Sequence, residues 1–225
     1  ESVLTLCLGT SVPPKEAAAS TGAHAFFTPE TDGLSSLPDW RAYESGGVEA
    51  LLAWVEKYLY RTTYEISVPA LRDASLAPAG KTGFLVSTLF DYDLALWLER
   101  HGAYERLKQT AQGAVLSALE GIYPALSNRT ESAFCSTPLT IERETGNRFG
   151  AITGWAFTNR PMPAVHELRR ISRAVHTPVP GVLQCGHWTF SPAGLPTAVI
   201  TGKLAADAAA KRLGARPSAP SLDNA

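Results

Sequence analysis

One stretch near the end of the 225-residue chain combines residue types that could hold an anionic or flat ligand: VLQCGHWTFSPAGLPTAVITGKLAADAAAKRL, residues 182–213. A short apolar run, Val182 to Cys185, stops at Gly186. A loop with His187, Trp188, Phe190, Pro192 and Gly194 follows. An Ala-rich helix is predicted from Pro196 to Leu213. Proline suits the first helical turn, where its missing N–H has no partner to lose. Thr197 and Ala198 would then offer backbone N–H groups at the positive end of the helix dipole. Gly194, with no Cβ, would let another group approach the backbone. Ala198, Gly202, Ala205, Ala206 and Ala209 would let the helix pack closely on a sheet. The pattern reads as an anion-receptive helix start beside a close-approach loop. The alternative is a C-terminal helix packed on a strand.

Other chemistries fail on spacing. SLAPAGKT (75–82) ends like a phosphate-binding loop, but the required glycine is Ser75 and a strand follows instead of a helix. It reads as a turn, bent by Pro78 and Gly80. The five histidines (24, 101, 166, 176, 187) share no metal-ligand spacing with each other or with cysteine, and no metal site is expected. No Gly-x-Ser-x-Gly elbow and no Gly-x-Gly-x-x-Gly fingerprint occurs. No catalytic acid, base or nucleophile can be named from order alone. The sequon at Asn128 matches a pattern common by chance.

These residues need elements to position them. Residues 1–9 alternate as a strand, and 23–27, 64–68 and 82–90 also read as strands. Val48, Leu51, Leu52, Val55 and Leu59 form a helical stripe. A long helical region is predicted over 92–121. Residues 133–143, 150–157 and 182–185 read as extended, and 158–180 carry little regular signal. With 45% hydrophobic and 18% charged residues, the composition allows a sizeable core. A net charge of −1 gives no reason to expect a nucleic-acid partner. Three scattered cysteines (7, 135, 185) fit free thiols in a reducing compartment better than a disulfide framework. The order of elements predicts an α+β fold. The chain begins inside a strand pattern without Met, which suggests a piece of something longer.

GVLQCGHWTFSPAGLPTAVITGKLAA resembles the C-terminal flavin motif of the phytoene desaturase (carotenoid desaturase) family of FAD-dependent oxidoreductases, within the amine-oxidase-like superfamily. Two further stretches agree and lie in the family's order. SVPALRDASLAPAGKTGFLV resembles the family's Pro-Ser-x-x-Asp-x-Ser-x-Ala-Pro-x-Gly-Lys segment. TPLTIERETGNRFGAITGW resembles its Thr-Pro-x-x-x-Glu-Arg segment leading to Gly-Trp. The family builds its FAD domain from both ends of the chain, which would make this chain the C-terminal half and account for the missing dinucleotide fingerprint. The resemblance implies an α/β flavoprotein half. Residues 1–150 would be a substrate domain with a mixed β-sheet and helices. Residues 151–213 would be the closing strand–helix unit of a Rossmann-like FAD domain, and 214–225 a disordered tail.

Carried over by position, Gly186 and His187 would lie by the ribityl or pyrophosphate part of FAD, with Trp188 beside them. Gly194 and the backbone of Leu195, Thr197 and Ala198, with Pro196 opening the helix, would face the flavin pyrimidine edge. Trp155, Trp188 and Phe190 would line the flavin or an apolar substrate tunnel, or else pack as ordinary core. Two positions depart from the family: Ala193 replaces a usual glycine, and His187 stands where many relatives in the superfamily place an acid. The implied partners are an N-terminal dinucleotide-binding half, on the same or a separate chain, and an apolar, polyene-like small molecule. The implied location is cytoplasmic, with peripheral membrane contact as in some relatives. Two other readings stand beside this one: an amine or amino-acid oxidase of the same superfamily, and a cofactor-free binding module.

Overall fold

Strict alternation builds the first strand, β1 (Val3–Thr10). Leu4, Leu6, Leu8 and Thr10 are buried on one face, while Thr5, Cys7 and Gly9 turn to the other. The computed structural model describes residues 1–155 and 164–214. The chain divides into two compact units, Ser2–Ala151 and a second made of Glu1 and residues 152–225.

In the first unit, β1 is followed by α1 (Pro14–Ser20), β2 (His24–Phe27), α2 (Gly47–Leu59), β3 (Tyr64–Ser67) and β4 (Thr82–Leu89). Then come α3 (Tyr92–Arg100), α4 (Tyr104–Leu119), the four-residue α5 (Leu126–Arg129), β5 (Thr130–Ser136) and α6 (Pro138–Thr145). The sheet order is β2-β3-β4-β1-β5, and every pairing is antiparallel. The fold class is α+β, but the mixed sheet expected from the resemblance is corrected. The link from β3 to β4 turns back through two single 3-10 turns, Pro69–Leu71 and Ala74–Leu76, where a parallel pair would need a crossover.

The helices cover one face of this sheet. Leu51, Val55 and Leu59 of α2, Leu94 and Leu98 of α3, and Leu107, Ala111 and Val115 of α4 join Leu4, Leu6, Ile66, Phe84 and Val86 in one continuous core. The opposite face carries exposed Phe26, Leu85, Leu89 and Phe134. The predicted helix over 92–121 is two helices, broken where Gly102 adopts φ +70°. The extended reading of 133–143 is also corrected. β5 stops at Ser136, and Thr137 opens α6 with a reciprocal Thr137–Thr140 capping box and Pro138 in the first turn. Gly150 closes a 3-10 turn and residues 152–155 are bends instead of a strand, with Gly150 and Gly154 at positive φ.

The second unit contains a 3-10 turn at Leu168–Arg170, α7 (Ile171–Ala174) and α8 (Leu195–Arg212). The strand expected over 182–185 is reduced to one bridge, His176–Leu183. A strand needs neighbours for its N–H and C=O groups. Here Gln184 finds them locally: its N–H donates to the Val175 carbonyl at 2.9 Å and its side-chain amide to Ala174 at 2.7 Å. A parallel bridge, Val165–Phe190, is the other pairing among the described residues of this unit. The predicted tail beyond Gly214 and most of the segment before Ala164 lie outside the described residues. Among the described residues, no helix is long and apolar enough to cross a membrane.

Candidate functional site

The loop singled out from sequence is held at both ends. Gly154 has φ +72°, and a Cβ built on it would lie 2.2 Å from the His187 carbonyl oxygen. Only glycine lets these two backbones touch. Next to it, the Trp155 indole N–H donates to the Trp188 carbonyl at 2.7 Å. The Trp155 and Trp188 rings meet edge to face, with centroids 5.4 Å apart, and His187 lies 5.6 Å from Trp188. So the structure brings Trp155, His187 and Trp188 together.

The helix side is anchored by Thr201, the one buried residue of α8. Its hydroxyl accepts from the Gly186 N–H at 3.2 Å and bonds back to the helix carbonyls of Thr197 (2.8 Å) and Ala198 (3.0 Å). Gly186 itself sits at φ +95° with open space where a Cβ would be. Between these anchors Phe190 is 1% exposed, so its ring packs inside the unit, bridged to Val165. The Ser191 N–H donates to the Val165 carbonyl at 3.0 Å. Its hydroxyl is buried and has no hydrogen-bond partner among the described residues.

The start of α8 differs in one point from the sequence expectation. The Ala198 N–H is taken by the Gly194 carbonyl at 2.9 Å, which the Thr197 hydroxyl also reaches at 2.9 Å. The first-turn donors without an intrahelical partner are therefore the N–H groups of Leu195 and Thr197, with Pro196 between them contributing none. Gly194 is extended and supplies no capping side chain. Leu195 is 80% and Val199 65% exposed, and Ile200 is exposed too. An 18-residue helix with a single buried residue presents most of its surface outward.

The other two stretches serve the first unit, apart from the last four residues of the second, which reach the loop just described. In SVPALRDASLAPAGKTGFLV, Asp73 accepts from the Ser75 N–H (2.9 Å) and hydroxyl (2.7 Å), which hold its carboxyl below the usual range. Lys81 pairs with Glu131 at 2.6 Å, as suits a turn and not a phosphate loop. In TPLTIERETGNRFGAITGW, Glu142 accepts from the Tyr92 hydroxyl at 2.5 Å and the Phe149 N–H at 2.8 Å. Both bonds lower its pKa, and the first raises that of Tyr92 to about 12. A Cβ on Gly150 would lie 2.1 Å from the Pro138 carbonyl oxygen. All three cysteines are free: Cys7 half-buried, Cys135 buried, Cys185 exposed.

Sequence reasoning missed Gly154, Ser191 and Thr201. Gly154 was within reach, as the residue that precedes a tryptophan in a quoted motif. Ser191 and Thr201 carry no signal, because their roles depend on burial. Compared with known proteins, the sequence matches no family model and no curated protein.

Proposed function

We propose that this chain is part of a FAD-dependent oxidoreductase resembling the phytoene desaturases, acting on an apolar substrate. The observation that carries the reading is the start of α8. Two N–H groups, those of Leu195 and Thr197, lie in the first turn at the positive end of a helix of about five turns, beside a glycine and without a capping side chain. A buried hydroxyl without a partner, Ser191, lies in the same loop. Such a hydroxyl costs about 1–3 kcal/mol unless something meets it. These features fit FAD: Gly186, Gly194 and the Leu195 and Thr197 N–H groups would hold it, and Ser191 would gain a partner.

FAD, when bound, accepts a hydride from a substrate carbon–hydrogen bond. The residues here bind and orient. The helix start favours negative charge next to it, which would make the flavin easier to reduce. The Gly154–His187 contact and the Trp155 indole fix the loop, so the donors are preorganised. Leu195, Val199 and Ile200 on the outer surface of α8 are the surface that a dinucleotide-binding half would cover.

The aromatic pair argues against the amine-oxidase reading. Two rings in edge contact leave no gap between them for an amine. The test is electrostatic. In the flavin-loaded protein, Leu195→Asp is expected to lower the flavin reduction potential and Leu195→Lys to raise it. The exposed position tolerates both. Equal potentials in all three proteins would remove the flavin from this helix. A protein that never takes up FAD would favour the cofactor-free binding module.

A further inference from the structure

The face of the sheet opposite the helices holds a groove of about 500 Å³, within the size range of small-molecule sites. Its register is simple. Leu85, Cys7 and Phe134 stand side by side on β4, β1 and β5, and the next row is Gly83, Gly9 and Ser132. Pro69 and Leu76, from the link between β3 and β4, close one side. Two features limit what fits.

The first is the floor. Gly83 and Gly9 are paired across the strands; Gly83 leaves bare backbone, while the Ser132 hydroxyl, 2.5 Å from where a Cβ on Gly9 would stand, lies over Gly9. A Cβ on Gly83 would stand in ordinary contact, 3.4 Å from the Leu8 carbonyl oxygen, so nothing in the backbone requires glycine there. The consequence of glycine is a flat surface at Gly83, edged by the Ser132 hydroxyl. The second is charge. Among the described residues, no charged side chain lines the groove. A charged ligand would lose its hydration there and find no counter-charge. The one ionisable wall group, Cys7, is pushed up by burial and stays a neutral thiol at neutral pH.

We propose that this groove binds a neutral, flat or unbranched apolar small molecule, laid over Gly83 between Leu85, Phe134 and the Pro69–Leu76 wall, with the Ser132 hydroxyl at its edge. Gly83 sets the thickness of what enters, and the chargeless lining rejects amino acids and ionised acids. The inference goes beyond the reading above, and the binding needs no flavin.

The test uses the whole chain, without FAD, and the neutral flat dye N-phenyl-1-naphthylamine. Saturable fluorescence enhancement at one site is expected. Gly83→Val, which puts a β-branched side chain on the floor of a strand that favours one, is expected to weaken binding at least about tenfold. Leu85→Glu, at an exposed wall position, should do the same. Phe26→Glu, on the same face but outside the groove, should leave affinity unchanged. Far-ultraviolet circular dichroism and melting curves check that each variant folds. Dodecanol should displace the dye and dodecylammonium should not. Enhancement that is absent, or equal in all variants, overturns the proposal. Binding that appears only after removal of residues 215–225 also overturns it, because the chain's own tail would then be the occupant. Dye binding in a protein that never takes up flavin keeps the groove and removes the oxidoreductase reading. A flavoprotein that ignores the dye does the reverse.

Discussion

Ser191 and the three cysteines show how far single residues can be read. The Ser191 hydroxyl is buried without a partner among the described residues, so Ser191→Ala should stabilise the flavin-free chain by about 1 kcal/mol. In the flavin-loaded protein the same change should weaken FAD binding. Thermal melts with and without FAD check the pair. A loss of stability in the flavin-free chain would mean that the hydroxyl already has a use. The thiols should separate by environment. Burial raises the Cys7 thiol, and raises Cys135 to about 12. Exposed Cys185 is therefore expected to react first with iodoacetamide, and Cys7 later, at a rate that climbs above the free-thiol pKa of about 8.5. Cys135 should react only on unfolding. Peptide mass spectrometry over a pH series reads all three.

At the scale of elements, two glycines make a contrast. Gly154→Ala would drive a Cβ into the His187 backbone at a positive φ, and should cost about 2–4 kcal/mol. Gly113→Ala, inside α4 with nothing within 4 Å of the new methyl, should stabilise by about 0.5–1 kcal/mol. Urea unfolding of both variants gives the two signs. The elements legible in the sequence were those with a clean period: β1 with its alternating leucines, and α2 with Leu51, Leu52, Val55 and Leu59. α6 was hidden because its signal is a cap, Thr137 with Thr140, and not a stripe of apolar residues. The break at Gly102 was hidden in a continuous helical pattern on both sides. The apolar run at 182–185 looked like a strand, but apolar residues do not supply the neighbours that a strand needs. In the candidate site the helix start and its glycine were legible from residue type. The buried hydroxyls and the Gly154–His187 contact were not, since packing alone makes them.

For the whole molecule, two features of the described residues stand out: α8, with one buried residue in eighteen, and the sheet face opposite the helices with its chargeless groove. A flavin held at the start of α8, with a dinucleotide-binding half on its outer surface, would answer the first, and an apolar small molecule in the groove would answer the second. Of these, the flavin is the central claim. The most direct test is a visible absorption spectrum of the native preparation that contains this chain. The account expects the bands of a bound oxidised flavin, bleaching on anaerobic reduction. A folded, colourless protein that stays colourless with excess FAD would contradict it, and the helix start would then be only the end of a helix.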